Sequence, residues 1–516
     1  MSYNNYTATD NGAISLKTTN KNIIDYFMLF VRDLDKKENN NYLEKCWKDD
    51  PKKTVAIIFN GRDRINGKKE KKISNDAMIW LKKNKTNTYY DNIITYINKY
   101  GCWKDLLYIS YYCDDKYEIK LFAKKLLEDK ILLDNNENVS LCAKWAPSEK
   151  CRNDKRKHMA KKIASEIYGF HDKNKMDKYR NNLLVPLRKK INIVEKLMCD
   201  NEWDKIKYEQ VPGIASKKLI NAFMKHDKER YLKYLSDVRS GTKEIKVTGI
   251  LPHELTKYYI ENRYTHDGTD NYCETIELQW KTIIENVKSN GILSNSLAIV
   301  DLSGSMFSAK NGSIPAQVAT ALGIITSICC EGIFKNKFIT FSDDPKLVTL
   351  NVSCDKSEPA SASTSAIPSL LECINSMLNI DYGFSTDFVK CCECIISYGI
   401  ENNIPDSEMP KKLFVFTDMQ FNEASESRDN METIYENIIK KFKLSGYTAP
   451  KFIFWNLNSQ SSNAFPVNYD TEGTAIISGF SEQLLKIFMN YDDFNPNIIV
   501  DEILEPYEKN VIISDD

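Results

Sequence analysis

The stretch Ala298-Ile-Val-Asp301-Leu-Ser303-Gly-Ser305-Met306 decides how the second half of the chain folds. Its apolar part predicts the end of a buried strand, and the abrupt change at Asp301 predicts a loop directly after that strand. In an open α/β sheet, ligands bind just beyond the carboxyl ends of the strands. One carboxylate and two hydroxyls form a hard-oxygen set that suits an octahedral Mg²⁺ ion. The alternative for Asp-x-Ser-x-Ser taken alone is an ordinary serine-rich turn.

The pattern Asp301-x-Ser303-x-Ser305 resembles the metal-ion-dependent adhesion site (MIDAS) of von Willebrand factor A domains. The resemblance implies that Asp301 contributes charge, directly or through a bound water, and that the two serine hydroxyls coordinate the ion. It also implies an ion that stays electrophilic and accepts a carboxylate of a protein partner as its last ligand. The resemblance therefore predicts a binding site for a divalent metal.

An A-domain site of this kind also takes a threonine from a second loop and an aspartate from a third. The segment 383–388 opens a helical pattern and offers Thr386, and the apolar strand 413–417 ends at Asp418. The three pieces occur in the order that the resemblance requires. Asp387, next to Thr386, is an additional carboxylate that a helix N-cap or first-turn acid explains equally well.

Around these loops the sequence alternates between apolar strands and amphipathic helices. Strands are predicted at 338–341, 413–417, 452–455 and 474–477, and helices are predicted to begin near 315, 386, 430 and 481. Alternation of this type is typical of a mainly parallel sheet with helices on its faces. Residues 291–500 are therefore predicted to form a doubly wound α/β domain, and the resemblance described above implies that it is of the von Willebrand factor A type.

The first half shows helical periodicity almost throughout. Ile93, Ile94 and Ile97 share one helix face, Gly101 interrupts the pattern, and Trp103 begins the next helix. Successive helix pairs without strands favour an α-solenoid of the HEAT type, in which each pair buries its apolar face on the next. The prediction for residues 21–290 is an all-α, HEAT-like domain.

Several short segments in this half resemble the signature segments of a family of unknown function found in plants, fungi and giant DNA viruses. They are Gly61-Arg-Asp63-Arg64-Ile-Asn-Gly67, Tyr100-Gly-Cys-Trp103, Ala143-Lys-Trp145-Ala-Pro147-Ser148 and Leu251-Pro-His253-Glu254-Leu255. The family combines a helical N-terminal region with a C-terminal A-like domain, and its layout is similar to that of the Ro (TROVE) RNA-binding ring proteins. The resemblance implies RNA as a partner and a helical domain 21–290 that can curve into a ring. The Arg-Asp-Arg segment itself is more typical of ion pairs between helices.

The charge of the chain is balanced overall but divided along its length. The formal net charge is zero, yet residues 291–516 carry about 15 Lys+Arg against about 30 Asp+Glu, which leaves about +15 for residues 1–290. A basic half can hold a polyanion, whereas the alternative is that the two halves attract each other.

The basic segment near residue 155 is the candidate nucleic-acid site. Its density of cations suits phosphate neutralisation, and Tyr168, Phe170 and Tyr179 are placed to stack bases. The alternative is an ordinary solvated helix face in a lysine-rich chain. The predicted RNA-binding residues are Lys155, Arg156, Lys157, Lys161 and Lys162.

Several function classes lack their sequence signatures. There is no apolar leader and no apolar run long enough to span a membrane, so the 14 cysteines are expected to be reduced in an intracellular protein, or in a virion if the source is viral. Cys391 and Cys392 are predicted to be buried in a helix. There is no phosphate-binding glycine loop and no nucleophile elbow at Ser303, and all five histidines lie before residue 291.

The sequence therefore predicts a non-enzymatic protein in four parts. A polar lead-in (1–20) precedes the helical domain (21–290), the α/β domain (291–500) and an acidic, solvated tail (501–516). The predicted function is RNA binding together with a Mg²⁺-type site. The alternative is a protein–protein scaffold in which the metal site captures an acidic residue of a partner without nucleic acid.

Overall fold

The computed structural model describes residues 5–113, 116–151, 154, 157–191, 193–262, 272–307, 314–341, 345–350, 367–378, 387–422, 434–458 and 464–515. Within these ranges, no helix has the length and apolarity that a bilayer crossing requires. The chain forms two compact units. The sheet unit comprises Met1–Ile73, Pro212–Ile220 and Tyr234–Val511, and the helical unit comprises Ser74–Val211, Asn221–Lys233 and Ile512–Asp516.

The helices are numbered in chain order through both units. The first eight are α1 (Asn22–Leu29), α2 (Lys36–Asp49), α3 (Pro51–Arg62), α4 (Lys71–Asn84), α5 (Thr86–Thr95), α6 (Trp103–Tyr112), α7 (Tyr117–Asp134) and α8 (Cys142–Trp145). The next eight are α9 (Met159–Tyr168), α10 (Lys175–Asp177), α11 (Val185–Ile191), α12 (Val194–Cys199), α13 (Gly213–His226), α14 (Lys228–Arg239), α15 (Pro252–Asn262) and α16 (Glu274–Lys288). The last six are α17 (Pro315–Cys329), α18 (Leu370–Leu378), α19 (Phe388–Glu401), α20 (Ile434–Leu444), α21 (Leu485–Asn490) and α22 (Pro496–Glu508).

The helix starts follow local capping chemistry. The Asp50 side chain accepts a hydrogen bond from the Lys53 amide at 2.9 Å, and Pro51 occupies the first turn of α3. Asn495 and Pro496 repeat this arrangement at the start of α22. The capping oxygen accepts a hydrogen bond from a first-turn amide that has no partner within the helix. Proline is tolerated in the first turn because its missing N–H would have no partner within the helix.

The strands form one main sheet and two short pairs. They are β1 (Tyr6–Ala8), β2 (Ile14–Leu16), β3 (Leu293–Ser294), β4 (Ser296–Val300), β5 (Cys330–Glu331), β6 (Lys337–Thr340), β7 (Leu347–Thr349), β8 (Lys412–Thr417), β9 (Lys451–Asn456) and β10 (Thr474–Ser478). The main sheet has the order β10-β9-β8-β4-β6-β7, and every pair is parallel except β6 with β7. The predicted α/β region with a mainly parallel sheet is confirmed.

The centre of the sheet is covered tightly. Every residue of β4 and β8 is buried, as continuous apolar strands between helical layers require. Helix α17 packs on β4, and its Gly323 allows a close approach, because a Cβ there would lie 2.4 Å from Val300 Cγ2. The ends of β4 and β8 are therefore held in a rigid frame.

The N-terminal residues correct the prediction of a loosely attached lead-in. Strands β1 and β2 pair antiparallel, and Leu16 exchanges backbone hydrogen bonds with Phe465 at 2.8 and 2.9 Å. The Thr9 hydroxyl donates to the Phe421 carbonyl at 2.7 Å, and the Asp10 amide donates to Gln420 Oε1 at 2.6 Å. The polar residues of this segment form hydrogen bonds within the sheet unit, so it is an integral part of that unit.

The acidic end of the chain also differs from its prediction as a solvated tail. Helix α22 extends to Glu508, and its Ile503, Leu504 and Tyr507 are buried against α1 and α3. The three apolar residues lie on one helix face, whereas the carboxylates lie mostly on the other. The acidic composition therefore describes only the exposed side of a packed helix.

The helical unit confirms the predicted helical character of residues 74–211. Ile93 and Ile97 are buried, whereas Ile94 is 38% exposed. A buried ion pair joins α4 to α7, with Lys82 Nζ 2.6 Å from Glu118 Oε1, and the Tyr89 hydroxyl donates to the same carboxylate at 2.5 Å. A HEAT-like arrangement and its closure into a ring stay predictions.

The units do not follow the predicted domains 21–290 and 291–500. Helices α1, α2, α3, α15 and α16 belong to the sheet unit. Periodicity identifies these segments as helices, but the partner that buries each apolar face depends on contacts between residues far apart in the chain.

Candidate functional site

Asp301 is the first residue after β4 and is fully buried. Its backbone amide donates to the Phe416 carbonyl at 3.0 Å, which fixes it beside β8. Carboxylate Oδ1 accepts from the Ser303 amide at 2.9 Å, and Oδ2 accepts from the Thr417 hydroxyl at 2.6 Å. This carboxylate therefore organises its own loop and ties it to the neighbouring strand.

The two serine hydroxyls lie in the loop that follows Asp301, with Ser303 directly before the 3₁₀ turn Gly304–Phe307 and Ser305 within it. Ser303 Oγ and Ser305 Oγ are 3.2 Å apart. Ser303 is buried and Ser305 is exposed, so the cluster of hydroxyls opens to solvent on one side. Phe307, two residues further on, is 51% exposed. A partner group can reach the cluster from the side of Ser305.

Asp418 follows β8 as Asp301 follows β4. It is 2% exposed, and its Oδ1 accepts from the Gln420 amide at 3.2 Å. Met419 has a positive φ of 67°, which turns the chain sharply after the strand. Since β4 and β8 are parallel neighbours in register at Val300 and Phe416, both aspartates lie at the same edge of the sheet.

The two carboxylates influence each other's ionisation. Burial raises the pKa of Asp301, and hydrogen bonds from Thr417 and Ser303 oppose the rise. Burial, followed by the charge of Asp301, raises the pKa of Asp418 to about 7, and a hydrogen bond from Ser305 opposes that rise. Two like charges at one buried edge favour a proton or a cation between them.

The donor set fits a hard divalent cation. Two carboxylates and two hydroxyls supply oxygen ligands with a charge that Mg²⁺ tolerates while retaining waters. No group of three or more His, Cys, Asp or Glu side chains able to hold a metal occurs among the described residues. The ion would be held by Asp301, Ser303, Ser305 and Asp418.

The second predicted loop is only partly described. Thr386 lies outside the described residues. Asp387 caps α19, because its Oδ1 accepts from the Lys390 amide at 3.0 Å, and this agrees with the N-cap interpretation. Cys391 and Cys392 on the same helix are fully buried, as predicted.

Thr417 is a site residue that the sequence interpretation missed. It was included only as the end of a strand, yet its hydroxyl pairs the Asp301 carboxylate and accepts from the Met419 amide at 3.2 Å. The strand register that places Thr417 beside Asp301 is a tertiary property. The sequence signal that could have identified Thr417 is its hydroxyl directly before Asp418 at the end of the strand.

The candidate nucleic-acid residues lie partly on α9. Lys161 and Lys162 are exposed on this helix, while Ile163 and Ala164 bury its other face. Lys157 Nζ lies 6.0 Å from the centre of the Tyr111 ring. Lys155 and Arg156 lie outside the described residues.

The aromatic residues of this region separate into two kinds. Phe170 is 75% exposed, and Lys175 Nζ lies 5.0 Å from its ring centre. Tyr179 is buried and its hydroxyl donates to the Pro147 carbonyl at 3.1 Å, so the expectation that it stacks bases is wrong. Tyr179 lies in the helical segment Lys178–Leu184, in which Leu183 and Leu184 are also buried.

The formal charge of the helical unit is +8, from 32 Lys+Arg against 24 Asp+Glu. The difference in formal charge between the two compact units is therefore about half the difference between residues 1–290 and 291–516. The remaining charge is still positive, which favours contact with a polyanion.

Comparisons with known proteins cover nearly the whole chain. Residues 9–118 and 117–293 match the family described as Domain of unknown function (DUF2828), and residues 295–510 match Domain of unknown function (DUF7788). Uncharacterized protein L728 of Acanthamoeba polyphaga mimivirus is 32% identical over 542 residues, which cover 98% of this chain and 89% of that protein.

One solved structure is similar over most of its length. It is the crystal structure of the Deinococcus radiodurans RO (RSR) protein, with 11% sequence identity, 87% of this chain and 90% of that chain covered, and a TM-score of 0.33. That TM-score is too low to carry an inference about fold or function.

Proposed function

The chain belongs to the DUF2828 family of unknown function. We propose that it is a non-catalytic binding protein with a divalent-cation site of the von Willebrand factor A type. The ion is Mg²⁺ or a similar hard cation. Asp301, Ser303, Ser305 and Asp418 hold it, and Thr386 is proposed as a further ligand. The ion presents a free coordination position to an acidic residue of a protein partner.

One observation carries this proposal. Two buried aspartates end adjacent parallel strands at one edge of the sheet, and burial, followed by the charge of Asp301, raises the pKa of Asp418 to about 7. Isolated buried carboxylates are costly unless they are protonated, paired or bound to a metal. A cation at this edge offsets the repulsion, and the hydroxyls of Ser303 and Ser305 add neutral ligands.

The exposed side of the cluster supports capture of a partner. Ser305 and Phe307 are both exposed next to the buried carboxylates. With few direct negative ligands, the bound cation retains enough charge to attract an additional carboxylate. An aromatic ring beside the ion supplies apolar contact area of the kind enriched at protein interfaces.

Binding without turnover is proposed because the described histidines have other environments. His253 is buried with its ring 5.3 Å from that of Phe480, and His226 stacks on Trp203 at 4.7 Å. His158 and His171 belong to the helical unit. A Ser–His pair at Ser303 or Ser305 would need one of these imidazoles beside the hydroxyl.

The metal site is tested by calorimetric titration of metal-free protein with Mg²⁺ and Mn²⁺. The expected result is one bound ion per chain and a rise in melting temperature, both lost in Asp301→Ala and Asp418→Ala. Glu331→Gln is the matched control, because it removes an exposed carboxylate elsewhere in the sheet unit. Absence of binding, or equal binding by all four proteins, would contradict the proposal. Capture of the partner is then tested with an acidic peptide library in Mg²⁺ and in EDTA.

A second candidate function is binding of single-stranded RNA by the helical unit. The observation that favours it is the charge of +8 on that unit, together with exposed Lys161, Lys162 and Phe170. Exposed cations neutralise phosphates, and an exposed ring can stack on a base. The resulting affinity would depend on charge and shape rather than on sequence.

Filter binding with a single-stranded RNA across a salt series tests this second function. Affinity is expected to fall steeply with salt and to weaken in the double variant Lys161→Gln, Lys162→Gln. The pair Lys205→Gln, Lys207→Gln removes the same charge from another exposed part of the unit and serves as control. If RNA binding is absent or insensitive to salt, RNA binding is excluded as a function. The proposed function as a protein-binding scaffold then remains.

A further inference from the structure

A polar pocket of about 840 Å³ lies entirely within the sheet unit, and neither the metal site nor the basic helix α9 contributes to it. The chain segments that line it contain Arg64, the start of α13, residues 238–248, and one face of α16. A volume of this size matches the space that small-molecule ligands occupy in proteins.

The charge of this pocket opposes the charge of the unit that contains it. The sheet unit carries 39 Lys+Arg against 47 Asp+Glu, a formal charge of −8. Two carboxylates, Glu244 and Glu285, line the pocket, whereas its basic lining residues are Arg64, Arg239, Lys243, Lys246 and Lys281. A concentration of positive charge inside an acidic unit favours an anionic ligand.

Three of the five cations already have carboxylate partners. Arg239 lies 2.6 Å from Glu274, Lys243 lies 3.3 Å from Asp237, and Lys281 lies 3.9 Å from Glu285. Lys246 is exposed at the pocket. Arg64 differs from all of these, because its Nε atom is buried without a hydrogen-bond partner among the described residues.

Arg64 is held in place by the loop that the sequence singled out as Arg-Asp-Arg. Asp63 accepts from the Ile65 amide and from the Tyr507 hydroxyl, both at 2.9 Å. Gly67 folds so closely onto α3 that a Cβ there would lie 2.0 Å from the Asn60 carbonyl oxygen. Asp63 therefore fixes this loop, and Arg64 lines the pocket. Ion pairing of the Arg-Asp-Arg segment between helices stays a prediction.

The opposite wall is equally fixed. A Cβ on Gly213 would lie 2.3 Å from the Lys246 carbonyl oxygen, and Gln279 Nε2 donates to the Gly213 carbonyl at 3.1 Å. Helix α13 begins at Gly213, so the positive end of its dipole adds to the field in the pocket. Val238, Val247 and Leu278 provide apolar wall between the cations.

We propose that this pocket binds a phosphorylated small molecule of nucleotide size. The Arg64 guanidinium presents its fork of donors to phosphate oxygens, and Lys246 supplies a second, mobile cation. The apolar wall receives the organic part of the ligand. The pocket is separate from the proposed cation site, so either proposal can fail without the other.

The test is calorimetric titration of the full chain in EDTA with ATP, AMP, tripolyphosphate and adenosine. ATP or tripolyphosphate is expected to bind and adenosine is not. Tighter binding of ATP than of tripolyphosphate would indicate contact with the base, and equal binding would indicate recognition of phosphate alone. Tighter binding of ATP supports the whole proposal, whereas equal binding would contradict the proposed contact between the apolar wall and the organic part of the ligand.

Variants identify the site. Arg64→Gln and Lys246→Gln are each expected to weaken ATP binding by about tenfold or more, since charged hydrogen bonds to phosphate are lost. Lys443→Gln, on an exposed part of α20, is the matched control and should bind as the unmodified chain does. If Arg64→Gln fails to fold, exposed Lys246 still provides the test. Absence of phosphate-dependent binding, or equal binding by all variants, would overturn the proposal.

Discussion

The sheet unit contains two buried charged sites that are satisfied in opposite ways. Lys68 is fully buried, and its ammonium group donates to the Phe27 carbonyl, to the Phe30 carbonyl at 3.3 Å and to the Ser478 hydroxyl at 2.7 Å. At the other site, the buried carboxylates of Asp301 and Asp418 have like charge. Burial lowers the pKa of Lys68 well below its usual value and raises the pKa of Asp418 to about 7. The two sites differ because Lys68 faces acceptors of the chain, whereas Asp418 also faces the charge of Asp301.

The difference helps to distinguish a buried charged group that stabilises the fold from buried charged groups that are available to bind a ligand. An ammonium group has three donors, and Lys68 meets three acceptors, two of them carbonyls at the C-terminal end of α1, where the helix dipole favours a cation. Its position over the Phe27 ring, 3.7 Å from the ring centre, adds a cation–π contact. The aspartate pair has hydrogen bonds but also retains mutual repulsion, which only an added positive charge removes.

Replacing Lys68 should have the largest effect on stability. Lys68→Met fills a similar volume but leaves the buried carbonyls of Phe27 and Phe30 without this donor, so the free energy of unfolding is expected to fall by about 3 kcal/mol. Denaturant unfolding of Lys68→Met measures this, with the exposed Lys52→Met as control. An unchanged midpoint would show that the lysine is not a structural cap.

The aspartate pair should respond in the opposite direction. In EDTA at pH 8, Asp418→Asn is expected to raise the free energy of unfolding by about 2 kcal/mol, because it removes one of two repelling buried charges while keeping the oxygen that accepts from Gln420. The same variant should lose stabilisation by Mg²⁺. A loss of stability in EDTA would mean that the two carboxylates are already compensated within the chain.

Proton and cation should compete at Asp418. Its folded pKa of about 7 lies above the value of about 3.9 expected when unfolded, so the folded state binds more protons between these values and stability in EDTA falls as pH rises through that window. Deprotonation frees the carboxylate for the ion, so the affinity for Mg²⁺ should be about tenfold higher at pH 8 than at pH 6. Calorimetry at both pH values, with Asp418→Asn as reference, checks this. Equal affinities would exclude Asp418 as a ligand.

Replacing Asp387 should have the smallest effect on the free energy of unfolding of these variants. Its carboxylate is satisfied by the first turn of α19, so Asp387→Ala should lower the free energy of unfolding by about 1 kcal/mol. Its affinity for Mg²⁺ should remain that of the unmodified chain. A large loss of affinity would bring this third carboxylate into the metal site.

The sequence was informative where one short segment carries its own pattern. Val300-Asp301 and Thr417-Asp418 each combine an apolar strand with an abrupt polar end, and this local contrast predicted their place at the sheet edge. The N-cap at Asp387 and the burial of Cys391 follow equally local rules. Strand-to-loop transitions and helix faces are readable because they depend on a few neighbouring residues.

The sequence was uninformative where a distant partner decides the outcome. Strands β1 and β2 have three residues each, too few for a periodic signal, and Leu16 pairs with Phe465. Lys68 looks like any surface lysine until α1 and β10 enclose it. The Thr417 contact with Asp301 depends on strand register, and the position of Arg64 depends on a pocket lined by four separate segments.

The contact between Thr9 and Phe421 has a practical consequence for work on the cation site. Residues 9–11 hydrogen-bond to the main chain and side chain of Gln420 and Phe421, two and three positions after Asp418. Trimming the first sixteen residues, or fusing a bulky tag against them, would release the Asp418 turn from its anchor. A shortened protein could then fail to take up an ion even though every coordinating side chain was intact.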